Sequence, residues 1–175
     1  MPDTKNIRLG TCKVFYDNVD LGLTIGGVEM EVTTSTHETK VDQFGDSVVE
    51  EIITGRNVKV TVPMAETNLD NMVRIMPGAK LVTDKTVPTK KRVDVTVPSG
   101  MSLYSAAKEL RLHPVALPDT DKSEDVIIKR AGTSGALKFA YKNDQERIYN
   151  VEFKGYPDLE TRLLVSFGDP DASAK

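Results

Sequence analysis

Two histidines, one cysteine and a run of acids are the side chains from which this 175-residue chain could build a catalytic or metal centre. His37 and His113 fall in different predicted elements without ligand-type spacing, so no zinc centre is encoded. Cys12 is the single cysteine, which excludes a disulfide within the chain. His113, followed by Pro114, reads as the end of a helix, where the negative end of the dipole suits it. The run Asp119 to Asp125 has the acids of a calcium loop but fails its test. The sixth position, where glycine must turn the chain, is Glu124, and the twelfth, where glutamate must chelate, is Arg130. It reads as a solvated turn. Gly132-Thr133-Ser134-Gly135 lacks the lysine of a phosphate cradle and reads as a hairpin turn. No G-x-S-x-G elbow is present. No catalytic, cofactor-binding or metal-binding residue is assigned, and the chain reads as a non-enzyme without a cofactor.

Bulk properties narrow the class. Hydrophobic residues make up 39% and charged residues 28%, an ordinary composition for one packed domain. No apolar run approaches the roughly 18 residues of a membrane helix, and Met1 to Gly10 has no apolar signal region. The net charge of −3 is unevenly spread. Asp17 to Thr54 holds nine acids and one base, a net of −8; Lys80 to Arg92 holds five bases and one acid, a net of +4. Such asymmetry suits solvated loops or a subunit whose acidic part meets a neighbour's basic part. With five Phe, five Tyr and no Trp, and no basic stripe among them, a single-strand nucleic-acid platform is not supported.

The elements that would position these residues are mostly strands. Cys12 to Tyr16 is a strand, followed by turn formers from Asp17 to Asp20. After Gly26-Gly27, Val28, Met30 and Val32 alternate with Glu29, Glu31 and Thr33, which predicts a strand with the first set on the core. His37 to Ser47 reads as a polar loop around Phe44 and Gly45, and Val48 to Thr54 returns as a strand, making a long hairpin. Gly55 is expected to turn the chain into a further strand, Arg56 to Val62. Thr67 is expected to cap a helix whose apolar face is Leu69, Met72, Val73 and Met76, stopped by Pro77-Gly78. Lys80 to Val97 reads as two strands around the basic turn Lys90-Lys91-Arg92. A second helix is expected over Ser102 to His113, with Leu103, Ala106, Ala107 and Leu110 on one side. Val126–Ile128, Ala136–Tyr141, Ile148–Phe153 and Leu163–Phe167 read as strands. Residues 1–169 form one predicted domain and 170–175 a flexible end.

The run V-D-L-G-L-T-I-G-G-V, Val19 to Val28, resembles the start of the major tail tube proteins of long-tailed bacteriophages. Val41-Asp42-Gln43-Phe44-Gly45-Asp46 is similar to the D-Q-x-G element of that family's long loop. Glu66 to Met76 matches the place of its short helix, and Leu110 to Val115 and Phe153 to Asp158 its late segments. The resemblance covers roughly residues 10 to 160. It implies a mainly β fold, an antiparallel β-sandwich or barrel-like domain with one or two short flanking helices and a long β-hairpin loop. The same fold is shared with type VI secretion tube proteins. It also implies a virion protein of the tail, assembled in the host cytoplasm as stacked hexameric rings, with no membrane. Its partners would be other copies of itself and the tape measure, tail terminator and distal tail or baseplate proteins. Double-stranded genomic DNA would pass through without specific binding.

Geometry agrees with a multimeric tube. Eight strands make a filled barrel, and a channel takes 16–18, so roughly ten strands in one chain cannot enclose DNA. Several chains contributing strands can, and head-to-tail contacts close rings that stack into a filament. Glu29, Glu31 and Thr33, opposite the core-facing set, are the expected lumen-facing residues. Asp42, Gln43, Phe44, Gly45 and Asp46 are the expected loop between subunits or rings, ordering on assembly with Phe44 on a neighbour. Lys90, Lys91 and Arg92 are the expected complementary basic patch. The rival reading is a non-enzymatic β-sandwich binding module at a tail tip or surface, which should expose a cluster of aromatics. Phe139, Tyr141 and Tyr149 fall in predicted strands and are expected in the core or its flanks.

Overall fold

A computed structural model describes residues 10–66, 68–144 and 146–172. The chain folds as β1 (Cys12–Tyr16), β2 (Val19–Asp20), β3 (Glu29–Lys40), β4 (Val48–Met64), α1 (Leu69–Ile75), β5 (Ala79–Thr83), β6 (Lys91–Val95), α2 (Leu103–Ala106), β7 (Lys108–Pro114), β8 (Val126–Gly132), β9 (Tyr149–Gly155) and β10 (Ser166–Phe167). The fold is mainly β, antiparallel throughout, as expected. The main sheet runs β2-β1-β7-β8-β9-β4-β3 with β10 on β8, and β5-β6 form a separate hairpin.

The sheet turns back on itself. Asp17 and Asn18 both have positive φ (53° and 60°), the backbone of a tight two-residue hairpin between β1 and β2. Just beyond β2, Thr24 bridges Met64, Ile25 N–H donates to the Pro63 carbonyl (3.0 Å), and Ala65 N–H donates to the Leu23 carbonyl (2.8 Å). The segment after one end strand thus pairs with the end of β4, which makes the body barrel-like. Inside lie Val14, Tyr16, Leu110, Leu112, Ile128, Val58, Val60, Val62, Val151 and Phe153. Most belong to alternating sets, as period two requires; β8 departs from it, with Ile127 and Ile128 both buried. The Tyr16 hydroxyl donates to the Ala131 carbonyl (3.2 Å), and its ring lies 5.0 Å from that of Phe153. α1 plugs one end: its Asn71 amide donates to the Leu21 carbonyl (3.1 Å), and Ile75 joins the core.

Several expectations are corrected. The helix over Ser102 to His113 is one turn, α2, after which the chain becomes strand β7. Leu103, Ala106, Ala107 and Leu110 fit a helical period, but Leu110 and Leu112 fit a period of two equally well. Pairing with β1 and β8 decides for the strand. His113 is therefore not at a helix end. Gly55 does not turn the chain: β4 runs unbroken, and Thr54 is the extra residue of a bulge opposite Ser35 and Thr36, its hydroxyl on the Ser35 carbonyl (3.0 Å). The polar loop is shorter than predicted, because His37 to Lys40 belong to β3 and pair with β4. Ala136–Tyr141 is irregular, and of Leu163–Phe167 only Ser166–Phe167 pairs. Gly132 is in β8 and not a hairpin turn; its bare Cα admits the Tyr156 ring and the Leu103 carbonyl, which a Cβ would meet at 2.7 and 3.1 Å. Thr67 lies outside the described residues. Asn68 caps α1, its side chain accepting from Asp70 N–H (2.9 Å). Lys91 and Arg92 lie in β6, the β5–β6 tip being the Asp84 turn, where the carboxylate accepts from Thr86 and Val87 N–H.

Candidate functional site: a charged sheet face and a protruding arm

β9 pairs with β4 only from Val58 to Met64, and Val58 faces Gly155 at the end of that ladder. β3 and β4 continue past this point as a two-stranded ribbon. From Asn57 to Val48, at ~3.3 Å per residue, this arm extends about 30 Å. Among the described residues, its apolar side chains and those at its root are only about half covered. Val32 is 44% exposed and Ile53 55%, and Val48, Val49 and Ile52 are similarly open. Val28 and Met30 do pack on the core, but Val32, expected with them, does not. The tip holds the predicted loop residues: Asp42, Gln43 and Phe44 form one 3-10 turn, Gly45 follows at φ 58°, and Lys40 reaches Asp46 at 3.9 Å. Phe44 is 67% exposed. Where the arm leaves the body, Val32, Thr34 and Arg56 face Leu163, Val165 and Phe167 across a groove of about 690 Å³.

On the opposite face of the same strands, Glu29, Glu31 and Thr33 are all exposed, as their alternation with Met30 requires. They stand opposite Thr61, Lys59 and Asn57 of β4. One strand further on, Glu152 pairs with Thr61 and Lys154 with Lys59. The face is thus not simply acidic. Lys59 Nζ lies 2.8 Å from Glu152 Oε2, and Lys154 Nζ lies 3.9 Å from Glu152 Oε1. The hydrogen bond and charge of Lys59 hold the Glu152 carboxyl below the usual range, and Glu152, with Glu31 behind it, holds the Lys59 ammonium above its own. Lys59, Glu152 and Lys154 carry no motif; only the strand register brings them together.

The predicted basic patch is partly occupied by its own chain: Lys91 meets Asp70 at 3.4 Å and Arg92 meets Asp94 at 2.9 Å. These are exposed pairs, weak enough to exchange for an outside partner.

Two further groups were misplaced by sequence reasoning. Asp125, assigned to a solvated turn, is fully buried, and its Oδ1 lies 2.6 Å from His113 Nδ1. His113 is itself buried, with Nε2 toward the Leu117 carbonyl (3.4 Å), and Asp125 Oδ2 has no hydrogen-bond partner among the described residues. The pair pins the loop that leaves β7 to the start of β8. Phe139 and Tyr141, expected in or beside the core, are 40% and 77% exposed. The Phe139 ring meets that of Tyr149 at a tilt of 50° (centroids 4.7 Å apart), and Arg147 lies over Tyr141 (4.9 Å). Among the described residues no group of three or more His, Cys, Asp or Glu could hold a metal, and no helix is long and apolar enough to cross a membrane.

No protein-family model matches the chain, and no curated protein matches its sequence. Among solved structures, the chain is similar to a chain of the virion of a native gene transfer agent particle. The likeness has a TM-score of 0.48 and 10% identity, and it covers 90% of this chain and 95% of that one. A likeness of that degree carries no argument about function.

Proposed function

We propose that the chain is a virion structural protein that assembles into stacked rings of six, forming a tail tube through which double-stranded DNA leaves. The observation that carries this reading is the arm. A two-stranded ribbon is marginal in water on its own, and this one exposes Val48, Val49, Ile52 and Ile53. Its outer strand β3 ends the sheet order, so that among the described residues no strand pairs with its outer edge. Long open edges invite pairing with another chain unless blunted. Another subunit is the partner that would cover both the edge and the apolar residues. Residues 1–169 would act as one tube domain. The tape measure, terminator and distal tail proteins would meet the ends of the tube. Sedimentation across a concentration series tests the reading: the wild type should form large assemblies, and Ile53→Lys should shift the onset to at least tenfold higher concentration with unchanged monomer melting. Identical sedimentation of the two proteins would remove the arm from the assembly.

The exposed pair Phe139 and Tyr141 favours a second reading, a binding module at a tail tip or surface. Exposed aromatics held by neighbouring rings are common anchors for partners. Tyr141→Ala should then abolish partner binding and leave self-assembly intact; on the tube reading it changes neither.

A further inference from the structure

Glu152 sits between two lysines on the face that carries Glu29 and Glu31, and it is the one acid in β9. Each of its carboxylate oxygens is directed at a different lysine, 2.8 Å from Lys59 and 3.9 Å from Lys154. Lys59 and Lys154 are directly opposite in the register, so with the carboxylate removed two ammonium groups stand side by side. Both lysines line a cleft of about 370 Å³ together with Arg56, Asn57, Tyr156 and the acid Glu31. Two adjacent ammonium groups make a phosphate contact, and DNA binding grows with each phosphate neutralised through counterion release.

We infer that Glu152 masks Lys59 and Lys154 against the DNA backbone, so that this face passes duplex DNA without holding it. This rests on the reading of the face as a channel wall. It assigns the work of non-adhesion to a residue on β9 as well as to Glu29 and Glu31. Those two lie on β3, across β4 from β9, and Glu31 stands opposite Lys59, whereas Glu152 is within ion-pair distance of both Lys59 and Lys154.

The test is binding of a 30-base-pair duplex to the full-length protein by fluorescence anisotropy, from 50 to 200 mM salt. Glu152→Gln should bind more tightly than wild type at 50 mM. Its log–log salt slope should be steeper by about 1.8, the value for two added phosphate contacts, which is roughly a twelvefold larger loss of affinity over that range. Adding Lys59→Gln and Lys154→Gln to that variant should abolish the gain. A Glu152→Gln protein that binds like wild type, or a gain that survives loss of both lysines, would overturn the inference. Assembled tubes separate it from the reading beneath it. If tubes form and Glu152→Gln tubes retain no extra DNA at low salt, masking is wrong and the tube stands. If no tubes form but the subunit gains DNA affinity, masking stands and the channel does not.

Discussion

The barrel-like body and the arm are built from the same kind of sequence and end in opposite states. In β9 every second residue, Tyr149, Val151 and Phe153, is buried. In β3 the same alternation of apolar and polar residues leaves Val32 open, and on β4 burial stops at Val58. The pattern does not differ; the neighbours do. β4 has β3 on one side and β9 on the other up to Val58, and beyond that point β3 alone. An alternating strand says which face is apolar, and only a third layer makes that face a core. The arm is thus a piece of sheet whose apolar side chains stay half open, and in the proposed tube a neighbouring subunit would supply the missing layer.

The largest effects should come from breaking the body. Phe153→Ala removes a fully buried ring between Tyr16 and the β4 valines and should cost about 4 kcal/mol in urea unfolding; a loss under 1 kcal/mol would show that the barrel is not the stable unit. His113→Ala leaves Asp125 buried without its partner and should cost about 3 kcal/mol by the same measurement. A near-neutral result would mean the Asp125 loop opens to water at little cost.

In the arm the expectation inverts. Phe44→Ala should change subunit stability by less than about 0.5 kcal/mol, yet raise the concentration needed for assembly about tenfold. Equal loss of stability and assembly would place Phe44 in the subunit's own packing. Glu29→Lys with Glu31→Lys should leave melting unaltered and make assembled tubes retain DNA at low salt, releasing it as salt rises; tubes that gain no DNA would take these two glutamates off the channel wall.

The smallest effect concerns pH. Because the Glu152 carboxyl is held low by Lys59, its contribution is present above the ordinary glutamate value and fades as pH falls through the depressed one. Lys59 is held high, so its share is complete below the ordinary lysine value and is lost only as pH rises through the raised one. The pair is exposed, and the change belongs to titration more than to stability. By NMR, Glu152 should titrate below a free glutamate, and Lys59→Gln should move it back up; no movement would dissolve the ladder on this face.

Sequence reading succeeded where one period had one interpretation. Cys12–Tyr16 and the strand from Val28, with Glu29 and Glu31 exposed, were legible, the latter from its alternation, although the hairpin's loop is shorter than expected and Val32 is open. It failed where two periods overlapped, at Leu103 to Leu110, and where a glycine inside a strand marked a bulge, at Gly55. The ladder of Lys59, Glu152 and Lys154 was beyond its reach, since nearly a hundred residues separate its members and only register joins them. The same holds for His113 and Asp125, whose contact depends on β7 being a strand. Phe139 and Tyr141 looked like a strand because they alternate, but Gly135, at φ 72° against Met76, sends the chain across the end of α1, where no ladder is available.

Electron microscopy of the purified protein at high concentration tests the central claim most directly. The account predicts rings of six and tubes with an open lumen, with the β3–β4 arm lying on a neighbouring subunit. A protein that stays a compact monomer at every concentration and salt, its arm open to solvent, would contradict it.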